Sequence, residues 1–302
     1  TVKKGFSGIK ELFGQSAVYG STKENFGTYR PLTMSLFAIE WSFFKDNSSA
    51  YHFVQVFLYA VLCVVVFLLL KKLLKDYHPL LPFIAVMLFV AHSIHTEVVA
   101  NIKSVDEILS LLFCALTLLF AIKFSETSSK KFLGFSFLFF LCALLSKESG
   151  VTFILIIPLA FLFFTSASRK NILTVMAVHS SAILIYFLAR NSALDKAPEG
   201  VALINNALAG AHSFSERYAT SVVVLLNYLK LLFFPHPLCW DYGYNQIPLV
   251  GFGNPVAIAS LFIHLVLVIF SLTVIIKPTI FQFANIQILK LISFCILFYL
   301  IG

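Results

Sequence analysis

Charged residues are scarce in this 302-residue chain: Asp, Glu, Lys and Arg make up 12% of it, whereas 59% of the residues are hydrophobic. A water-soluble domain cannot cover so much apolar surface with so few polar side chains. Nearly uncharged windows reach or approach the roughly 18–20 residues that cross a bilayer. They are 53–70, 108–122, 132–145, 151–164, 172–189, 255–276 and 286–301. The sequence therefore predicts an all-α, polytopic bundle of transmembrane helices.

Cysteine is also rare, with five residues in the chain. Four of them lie inside the apolar runs, where cysteine behaves as a small hydrophobic side chain. Only Cys239 lies in a predicted loop. The spacing therefore gives no sign of a disulfide framework.

The net charge of +8 raises the question of nucleic-acid binding, but the positions of the cations argue against it. Lysines and arginines cluster at 71–75, 123–131, 169–170 and 277, at the ends of apolar runs. This is the positive-inside pattern, which orients membrane helices. We therefore expect the lipid bilayer, and no nucleic acid, as a partner.

Placing these clusters in the cytoplasm predicts four regions. Residues 1–50 form a first extracytoplasmic loop, 51–190 the core transmembrane helices, 191–252 an extracytoplasmic loop with an interfacial helix, and 253–302 further transmembrane helices. Segment 218–234 leaves two possibilities open, a span or a helix along the interface. Glu216, Thr220, Asn227 and Lys230 recur at helical spacing on one side, which favours the interfacial helix.

Both ends of the sequence indicate a part of a longer protein. The chain opens with neither a start Met nor a signal-peptide pattern, and an apolar run continues up to Gly302. We therefore expect a fragment that lacks a first helix and a C-terminal part.

A dense polar cluster occupies residues 91–110, AHSIHTEVVANIKSVDEILS, between two apolar runs. One interpretation is a capping box, with Ser104 as N-cap and Glu107 three residues later. Asp106 then favours the positive end of the helix dipole. This interpretation leaves the preceding polar residues unexplained: His92, His95, Glu97 and Lys103.

A metal site is a second interpretation of the same cluster, because His-x-x-His-x-Glu resembles ligand spacing. On an unbroken helix Glu97 points away from His92, at 100° per residue. The ligands can converge only if the helix breaks near Thr96. Neither a metal nor a cofactor is assigned from the sequence.

An active site at the membrane surface is the third interpretation, because ionisable residues at the ends of spans are functional candidates. Further candidates fall on the same predicted face: Arg30, Lys147, Glu148, Arg217, Asp241 and Tyr242. Each has a structural alternative, such as an exposed Lys147–Glu148 pair or a capping box over 213–216. Together they suit a substrate that joins a lipid tail to a phosphate. Cations hold the phosphate, and a carboxylate acts as base or orients a nucleophile.

Four ordered blocks carry a family resemblance: YRPLTMSLF, AHSIHTEVVANIKSVDEIL, ALLSKESGVTFILIIPL and NYLKLLFFPHPLCWDYGYNQIPLV. From about Gly5 to Val250 the chain resembles the membrane domain of the TMTC-type O-mannosyltransferases, which carry tetratricopeptide repeats, and their bacterial relatives. The resemblance implies a C-type glycosyltransferase architecture. It implies transfer of mannose from a polyprenyl-phosphate donor to protein Ser or Thr hydroxyls outside the cytoplasm. It also implies a catalytic Asp upstream of residue 1 and tetratricopeptide repeats downstream.

Each candidate residue has an expected role, and we expect one cavity open to lipid to gather His95, Glu97, Asp106, Glu107 and Glu148 with Arg30 and Asp241. The catalytic carboxylates are Glu97, Asp106 and Glu107. Donor or phosphate-binding residues are Arg30, His92, His95, Lys103, Lys147 and Arg217. Acceptor or pocket residues are Glu148, Asp241 and Tyr242. The chain departs from the family pattern at Ser93, where the family has Pro, and at Val105, where it has Arg; Lys103 is close enough to substitute for that cation.

Three other functions stay open. The protein could be a C-type enzyme that modifies a glycan or a lipid, or a non-catalytic scaffold that anchors repeats. A transporter is the third alternative. The sequence argues against a transporter, because its polar residues lie at span ends and it has no internal repeat.

Overall fold

A computed structural model describes residues 1–22, 27–194, 207–239, 242, 246–281 and 285–302 of the chain. These residues form helices and the turns between them, with no strand in the described ranges. The chain divides into two compact units, Thr1–Ala197 with Ile301–Gly302, and Pro198–Leu300. The four regions predicted from the sequence stay a prediction.

The first unit contains ten α-helices within its described part. They are α1 Ile9–Leu12, α2 Tyr19–Thr22, α3 Pro31–Phe44, α4 Ser48–Leu73, α5 Leu81–Ala91, α6 Thr96–Ala100, α7 Val105–Thr127, α8 Lys130–Ser146, α9 Phe153–Phe164 and α10 Arg169–Ala193. Short 3-10 helices at Val2–Gly8, Ser93–His95, Ile102–Ser104 and Glu148–Thr152 complete it. The second unit contains α11 Phe214–Phe233, α12 Pro255–Ile276 and α13 Ile286–Ile301, with a 3-10 helix at Pro278–Phe281.

Four helical stretches in the described ranges are long and apolar enough to cross a membrane: Ser48–Leu73, Ile102–Thr127, Arg169–Ala193 and Pro255–Ile276. A fifth arises if α5 and the segment Ser93–Ala100, which are bent by 50°, form one broken span. These helices follow the apolar windows in the sequence. The prediction of an all-α, polytopic helical bundle is confirmed.

Helix α7 is the central element of the first unit. It packs against α8, α4 and α6, and most of its residues between Val105 and Phe124 are buried. A bilayer provides no hydrophobic drive between helices, so close packing of this kind holds them together. Because α7 is enclosed on several sides, the residues of its first turn are fixed relative to the neighbouring helices.

The region predicted as a loop, residues 1–50, is more ordered than the sequence indicates. It contains the 14-residue helix α3, which packs against the N-terminal 3-10 helix, α1 and α8. Ser42 on α3 accepts a hydrogen bond from the amide of Phe6 at 3.0 Å. Gly5 beside it has φ +62°, and a Cβ there would lie 2.3 Å from the Ser42 hydroxyl oxygen. The predicted extracytoplasmic region therefore includes a helix, and its side of the membrane stays a prediction.

Helices α8 and α9 match two predicted spans but are shorter than a bilayer. They contain 17 and 12 residues, or roughly 26 and 18 Å of helix, against a hydrocarbon core of about 30 Å. The missing length at the start of α9 is the 3-10 helix Glu148–Thr152. This irregular turn carries one of the candidate site residues.

In helix α11, the polar residues that the sequence places on one side of segment 218–234 do not all face water. Thr220 is fully buried rather than facing water, and its hydroxyl accepts a hydrogen bond from the amide of Val250 at 3.0 Å. The stripe is therefore not a single solvent-facing surface. Helix α11 is not among the stretches that meet the length and composition of a span, and its position in the membrane stays a prediction.

Candidate functional site

Arg30 lies at the start of α3, where it is the N-cap residue and Pro31 opens the helix. Proline suits this first position, because its fixed φ matches the helix and its missing N–H has no partner there. The preceding Tyr29 is 1% exposed and donates a hydrogen bond to the carbonyl of Phe13 at 2.9 Å. Three buried side chains pack with Tyr29 in one cluster: Phe140, Leu144 and Tyr186. The backbone that presents Arg30 is therefore held by α8 and α10.

A second contact fixes α3 to the end of α8. The Thr33 hydroxyl donates to the carbonyl of Ser146 at 2.9 Å, and this bond is buried. Ser146 is the last residue of α8, immediately before Lys147 and Glu148. The bond therefore places the start of α3 beside the two charged residues that follow α8.

The Arg30 guanidinium binds two carboxylates. Its Nε and Nη2 donate to the two Glu148 oxygens at 2.9 and 2.6 Å, and its Nη1 donates to Asp106 Oδ2 at 2.5 Å. The paired geometry with Glu148 is the bidentate arrangement in which arginine binds carboxylates most strongly. Asp106, in the first turn of α7, is 5% exposed. The side chain of Arg30 therefore links α3, α7 and the turn after α8.

Lys147 completes this arrangement. Its ammonium group donates to Glu107 and lies 4.0 Å from Asp106 Oδ1. We call these five residues, Arg30, Asp106, Glu107, Lys147 and Glu148, the ion-pair centre. The structural alternative of an exposed Lys147–Glu148 pair is not what the structure shows, because each side chain binds a residue from another helix. With two cations and three carboxylates, the centre carries a formal charge of −1.

The charges in the centre reinforce one another. Burial acts to lower the pKa of Arg30, but its hydrogen bonds and charge contacts with Glu148 and Asp106 outweigh burial and raise it above its usual value. Burial acts to raise the pKa of Glu148, but the hydrogen bonds from Arg30 and from its own amide, with the charges of Arg30 and Lys147, hold it below its usual value. Both groups are therefore charged at neutral pH.

Ser104 does not form the predicted capping box. It is the N-cap residue of α7, but its side chain caps nothing. Its hydroxyl donates instead to Glu97 Oε1 at 3.1 Å, and the amide of Glu107 donates to Asp106 Oδ1 at 2.8 Å. The structure therefore brings Glu97 to the start of α7, next to the ion-pair centre. Glu97 is exposed, and within the described ranges it has no ion-pair partner.

Gln55 is a site residue that the sequence reasoning missed. This α4 side chain is 1% exposed, and its Nε2 donates to the carbonyls of Val98 and Asn101, the latter at 2.8 Å. These two carbonyls end α6, directly before the turn that carries Lys103 and Ser104. The signal in the sequence was a single polar residue inside an apolar run, which in a membrane span indicates a specific partner.

His92 and His95 line a different part of the surface. They face a cavity of about 400 Å³ between α4 and the bent α5–α6 segment, which His52, Tyr59 and Val99 also line. His95 Nδ1 lies 2.7 Å from the Phe89 carbonyl, so Nδ1 carries the proton and Nε2 is an acceptor in the neutral ring. The His95 ring therefore has its polar contacts with Phe89 and Tyr59 rather than with the ion-pair centre.

A metal site requires a helix break near Thr96, but the helix breaks a few residues earlier. Helix α5 ends at Ala91, and a 3-10 helix over Ser93–His95 precedes α6. Among the residues that the structure describes, no three His, Cys, Asp or Glu side chains are grouped to hold a metal ion.

The remaining candidates are Lys103, Arg217, Asp241 and Tyr242. Lys103 is exposed, and only its amide has a described bond, to Asn101 Oδ1 at 3.2 Å. Arg217 on α11 and Tyr242 beyond it are exposed and belong to the second unit. Asp241 lies outside the described residues. Gathering of all the candidates around one pocket stays a prediction.

The second predicted capping motif, over 213–216, is present in a modified form. The Ser213 hydroxyl accepts from the amide of Glu216 at 3.1 Å, as an N-cap residue does. The Glu216 carboxylate accepts from the amide of His212, one residue before the N-cap, at 2.8 Å. Glu216 therefore has a local structural role at the start of α11.

Sequence comparison places these elements in a known family. A sequence model described as dolichyl-phosphate-mannose-protein mannosyltransferase matches residues 30–193, more than half of the chain. The matched range begins at Arg30, ends at the last residue of α10 and includes the whole ion-pair centre. The chain belongs to this family.

Individual relatives have matching names. A protein O-mannosyl-transferase of Caenorhabditis elegans is 27% identical over 240 residues, covering 79% of this chain and 33% of the relative. Protein O-mannosyl-transferase TMTC2 of Homo sapiens is 29% identical over 245 residues, covering 74% and 29%. TMTC3 of Homo sapiens is 33% identical over 108 residues, covering 35% and 11%. The chain thus spans a third or less of the length of these curated relatives, and no solved structure matches it.

Proposed function

We propose that this protein is a membrane glycosyltransferase of C-type architecture, which transfers mannose from a polyprenyl-phosphate donor to Ser or Thr hydroxyls of proteins on the extracytoplasmic face. The main observation behind the proposal is the ion-pair centre at the start of α7. All of its residues lie inside the range that matches the mannosyltransferase family. The names of the relatives support the sugar and the protein acceptor.

The reaction sets the requirements for the site. The acceptor hydroxyl oxygen forms a bond to the anomeric carbon of mannose, and the bond from that carbon to the phosphate oxygen breaks. Its electron pair leaves with the polyprenyl phosphate, and the hydroxyl loses its proton to a base. Developing charge on the phosphate needs fixed cations, and the hydroxyl needs a carboxylate that orients it.

Arg30 can supply the cation even though it already binds two carboxylates. A guanidinium has five N–H donors, and three of them are used by Glu148 and Asp106. Two donors therefore remain for a phosphate oxygen. The two carboxylates hold the guanidinium in one orientation, so little side-chain freedom is lost when the donor binds.

Lys103 is the second cation in this proposal. Its exposed ammonium group has no ion-pair partner within the described part of the chain, whereas Lys147 is bound to Glu107. An unpaired ammonium beside Ser104 can move to a phosphate without breaking an existing ion pair. Lys147 then acts on the donor mainly by orienting Glu107 and Asp106.

Glu97 is the carboxylate best placed to orient the acceptor hydroxyl. Asp106 and Glu107 are neutralised by Arg30 and Lys147, whereas Glu97 accepts one hydrogen bond, from Ser104. Its second oxygen can accept the hydrogen bond of a protein hydroxyl. The cavity beside His92 and His95 lies on the same segment and offers an apolar wall for the first part of the lipid chain.

Transfer of radiolabelled mannose tests the proposal directly. Membranes that contain the full-length protein are supplied with polyprenyl-phosphate-mannose and a Ser/Thr-containing acceptor protein, with a nucleotide-linked mannose as the control donor. We expect label on the protein from the polyprenyl donor alone. Label in a lipid or free glycan would instead establish the alternative transferase, and no transfer from any polyprenyl donor would establish the scaffold.

A further inference from the structure

A polar cleft lies at the end of the first unit opposite the ion-pair centre. Helix α7 connects the two places, with Asp106 in its first turn and Glu126 near its last residue. Twenty residues of helix span about 30 Å, the thickness of the hydrocarbon core. If α7 crosses the bilayer, the cleft therefore lies at the opposite membrane surface.

The ends of three helices form this cleft, which has a volume of about 100 Å³. Two lysines at the end of α4, two residues at the end of α7 and two residues after α9 provide its polar lining. They are Lys72, Lys75, Ser125, Glu126, Thr165 and Ser166. We call this set the basic cleft. Its floor is apolar, because the side chains of Leu73, Ile122 and Phe164 are buried beneath it.

Some polar groups of the basic cleft have a hydrogen-bond or ion-pair partner, and others do not. Lys72 is bound to Glu126 at 2.6 Å. The Thr165 hydroxyl donates to the Phe161 carbonyl at 2.9 Å and accepts from the amide of Ala167 at 3.3 Å. In contrast, the Lys75 ammonium and the hydroxyls of Ser125 and Ser166 have no partner among the residues described. One cation and two hydroxyls are therefore available to an incoming anion.

The surroundings of the cleft strengthen its positive potential. Six further cations lie at the same end of these helices: Lys71, Lys123, Lys130, Lys131, Arg169 and Lys170. Orientation of the helices in the membrane explains cations at their ends. It does not require a cleft between α4, α7 and α9 that combines two lysines with hydroxyl groups.

We propose that the basic cleft binds the phosphate group of an anionic membrane lipid. A cation cluster between membrane helices is a typical site for such a headgroup. Lys75 and Ser166 contact the phosphate, and Lys72 is shared between the phosphate and Glu126. On α9, before the cleft, Leu162 has an exposed apolar side chain.

Native mass spectrometry of the detergent-solubilised full-length protein tests this site. The probes are phosphatidic acid, phosphatidylcholine of the same chain length, and inorganic phosphate. We expect one tightly held phosphatidic acid, and weaker binding of phosphatidylcholine. Lys75→Gln should weaken phosphatidic acid binding by about tenfold or more, since a charge-assisted hydrogen bond is lost. Glu126→Gln should strengthen it, because Lys72 is then released to the phosphate.

Lys130→Gln is the matched control, because Lys130 is an exposed lysine at the same end but outside the cleft. We expect its effect to stay within about twofold, since Lys130 does not line the cleft and a charge at a distance from the phosphate is screened by salt. Equal losses for Lys75→Gln and Lys130→Gln would overturn the proposal and show general attraction to a basic surface. Equal binding of phosphatidylcholine would also overturn it. Displacement of the lipid by an equimolar amount of inorganic phosphate would identify a soluble anion as the ligand and overturn the lipid assignment.

Discussion

Arg30 and Glu148 lie 118 positions apart in the chain and are joined by two parallel hydrogen bonds, Nε to Oε2 at 2.9 Å and Nη2 to Oε1 at 2.6 Å. The pair is partly buried, with the Arg30 and Glu148 side chains 17% and 42% exposed, and removing either partner leaves the other charge less well compensated. The same guanidinium also holds the buried Asp106. Arg30 therefore holds two carboxylates of the ion-pair centre in place, and it is also the proposed phosphate ligand.

Arg30→Lys separates charge from geometry. A lysine keeps the positive charge but cannot form the bidentate pair or reach three acceptors at fixed angles. We expect mannose transfer to fall by about a hundredfold, with a larger rise in the KM for the donor than for the acceptor. Steady-state transfer rates at varied donor concentrations check this.

Arg169→Lys is the control for Arg30→Lys. Arg169 is exposed at the start of α10 and has no described ion pair, so its replacement should leave transfer and thermal unfolding unchanged. Wild-type donor KM in Arg30→Lys would contradict the phosphate role of Arg30.

Gln55→Leu tests the support of the segment that carries Glu97. Leucine removes the amide that donates to Val98 and Asn101, and two partly buried carbonyls lose this donor. We expect a loss of about 1–3 kcal/mol in the free energy of unfolding, together with a lower kcat. Ser271→Ala is a suitable control, because the buried Ser271 hydroxyl has no hydrogen-bond partner among the described residues. Equal stability and turnover in Gln55→Leu and wild type would show that these two hydrogen bonds do not hold the segment that carries Glu97.

Glu40 makes stability depend on pH. It is buried in α3, its Oε2 has no partner within the described ranges, and burial raises its pKa to about 7. The unfolded value is about 4.3, so the folded state holds the proton more tightly. The resulting stability is fully present below about pH 4 and is lost as the pH rises through 7.

Glu40→Gln should remove this loss of stability at high pH. Glutamine mimics the protonated carboxyl at every pH, so the variant and wild type should unfold at similar temperatures near pH 4. At pH 8 we expect the variant to be more stable by on the order of 3 kcal/mol. Thermal unfolding in detergent from pH 4 to 8 measures the difference, with the exposed Glu11→Gln as control. A difference that does not change with pH would contradict the raised pKa.

Cysteine labelling tests which side of the membrane each end of these helices faces. In a variant without the five native cysteines, Ser149→Cys should react with an impermeant reagent from the extracytoplasmic side. Ser128→Cys should react only from the cytoplasmic side, because it lies at the other end of α7 and α8. Both serines are exposed. The reverse pattern would contradict the orientation inferred from the positive clusters.

The sequence predicted the helices well because their length and composition are local properties. The windows 53–70 and 255–276 correspond to α4 and α12. It predicted which residues are polar at span ends, but not how they pair. Nothing local links Arg30 to residues 106 and 148, since their contact depends on how α3 packs against α7 and α8.

Two local predictions also failed for non-local reasons. Ser104 has the spacing of a capping residue, but its hydroxyl donates to the carboxylate of Glu97 and caps no amide of α7. Thr220 has the spacing of a polar stripe, but it is buried and its hydroxyl accepts a hydrogen bond from the amide of Val250. In both cases a residue from outside the local pattern decides the outcome.

The most direct test of the proposed active centre is mannose transfer by full-length wild type and Glu97→Gln, measured with radiolabelled polyprenyl-phosphate-mannose and a protein acceptor. Glu97 is exposed, so the substitution should leave thermal unfolding unchanged. We expect transfer by Glu97→Gln to fall by about a hundredfold or more, while Glu11→Gln matches wild type. Full transfer by Glu97→Gln, and also by Arg30→Lys and Asp106→Asn, would contradict the assignment of mannose transfer to this centre.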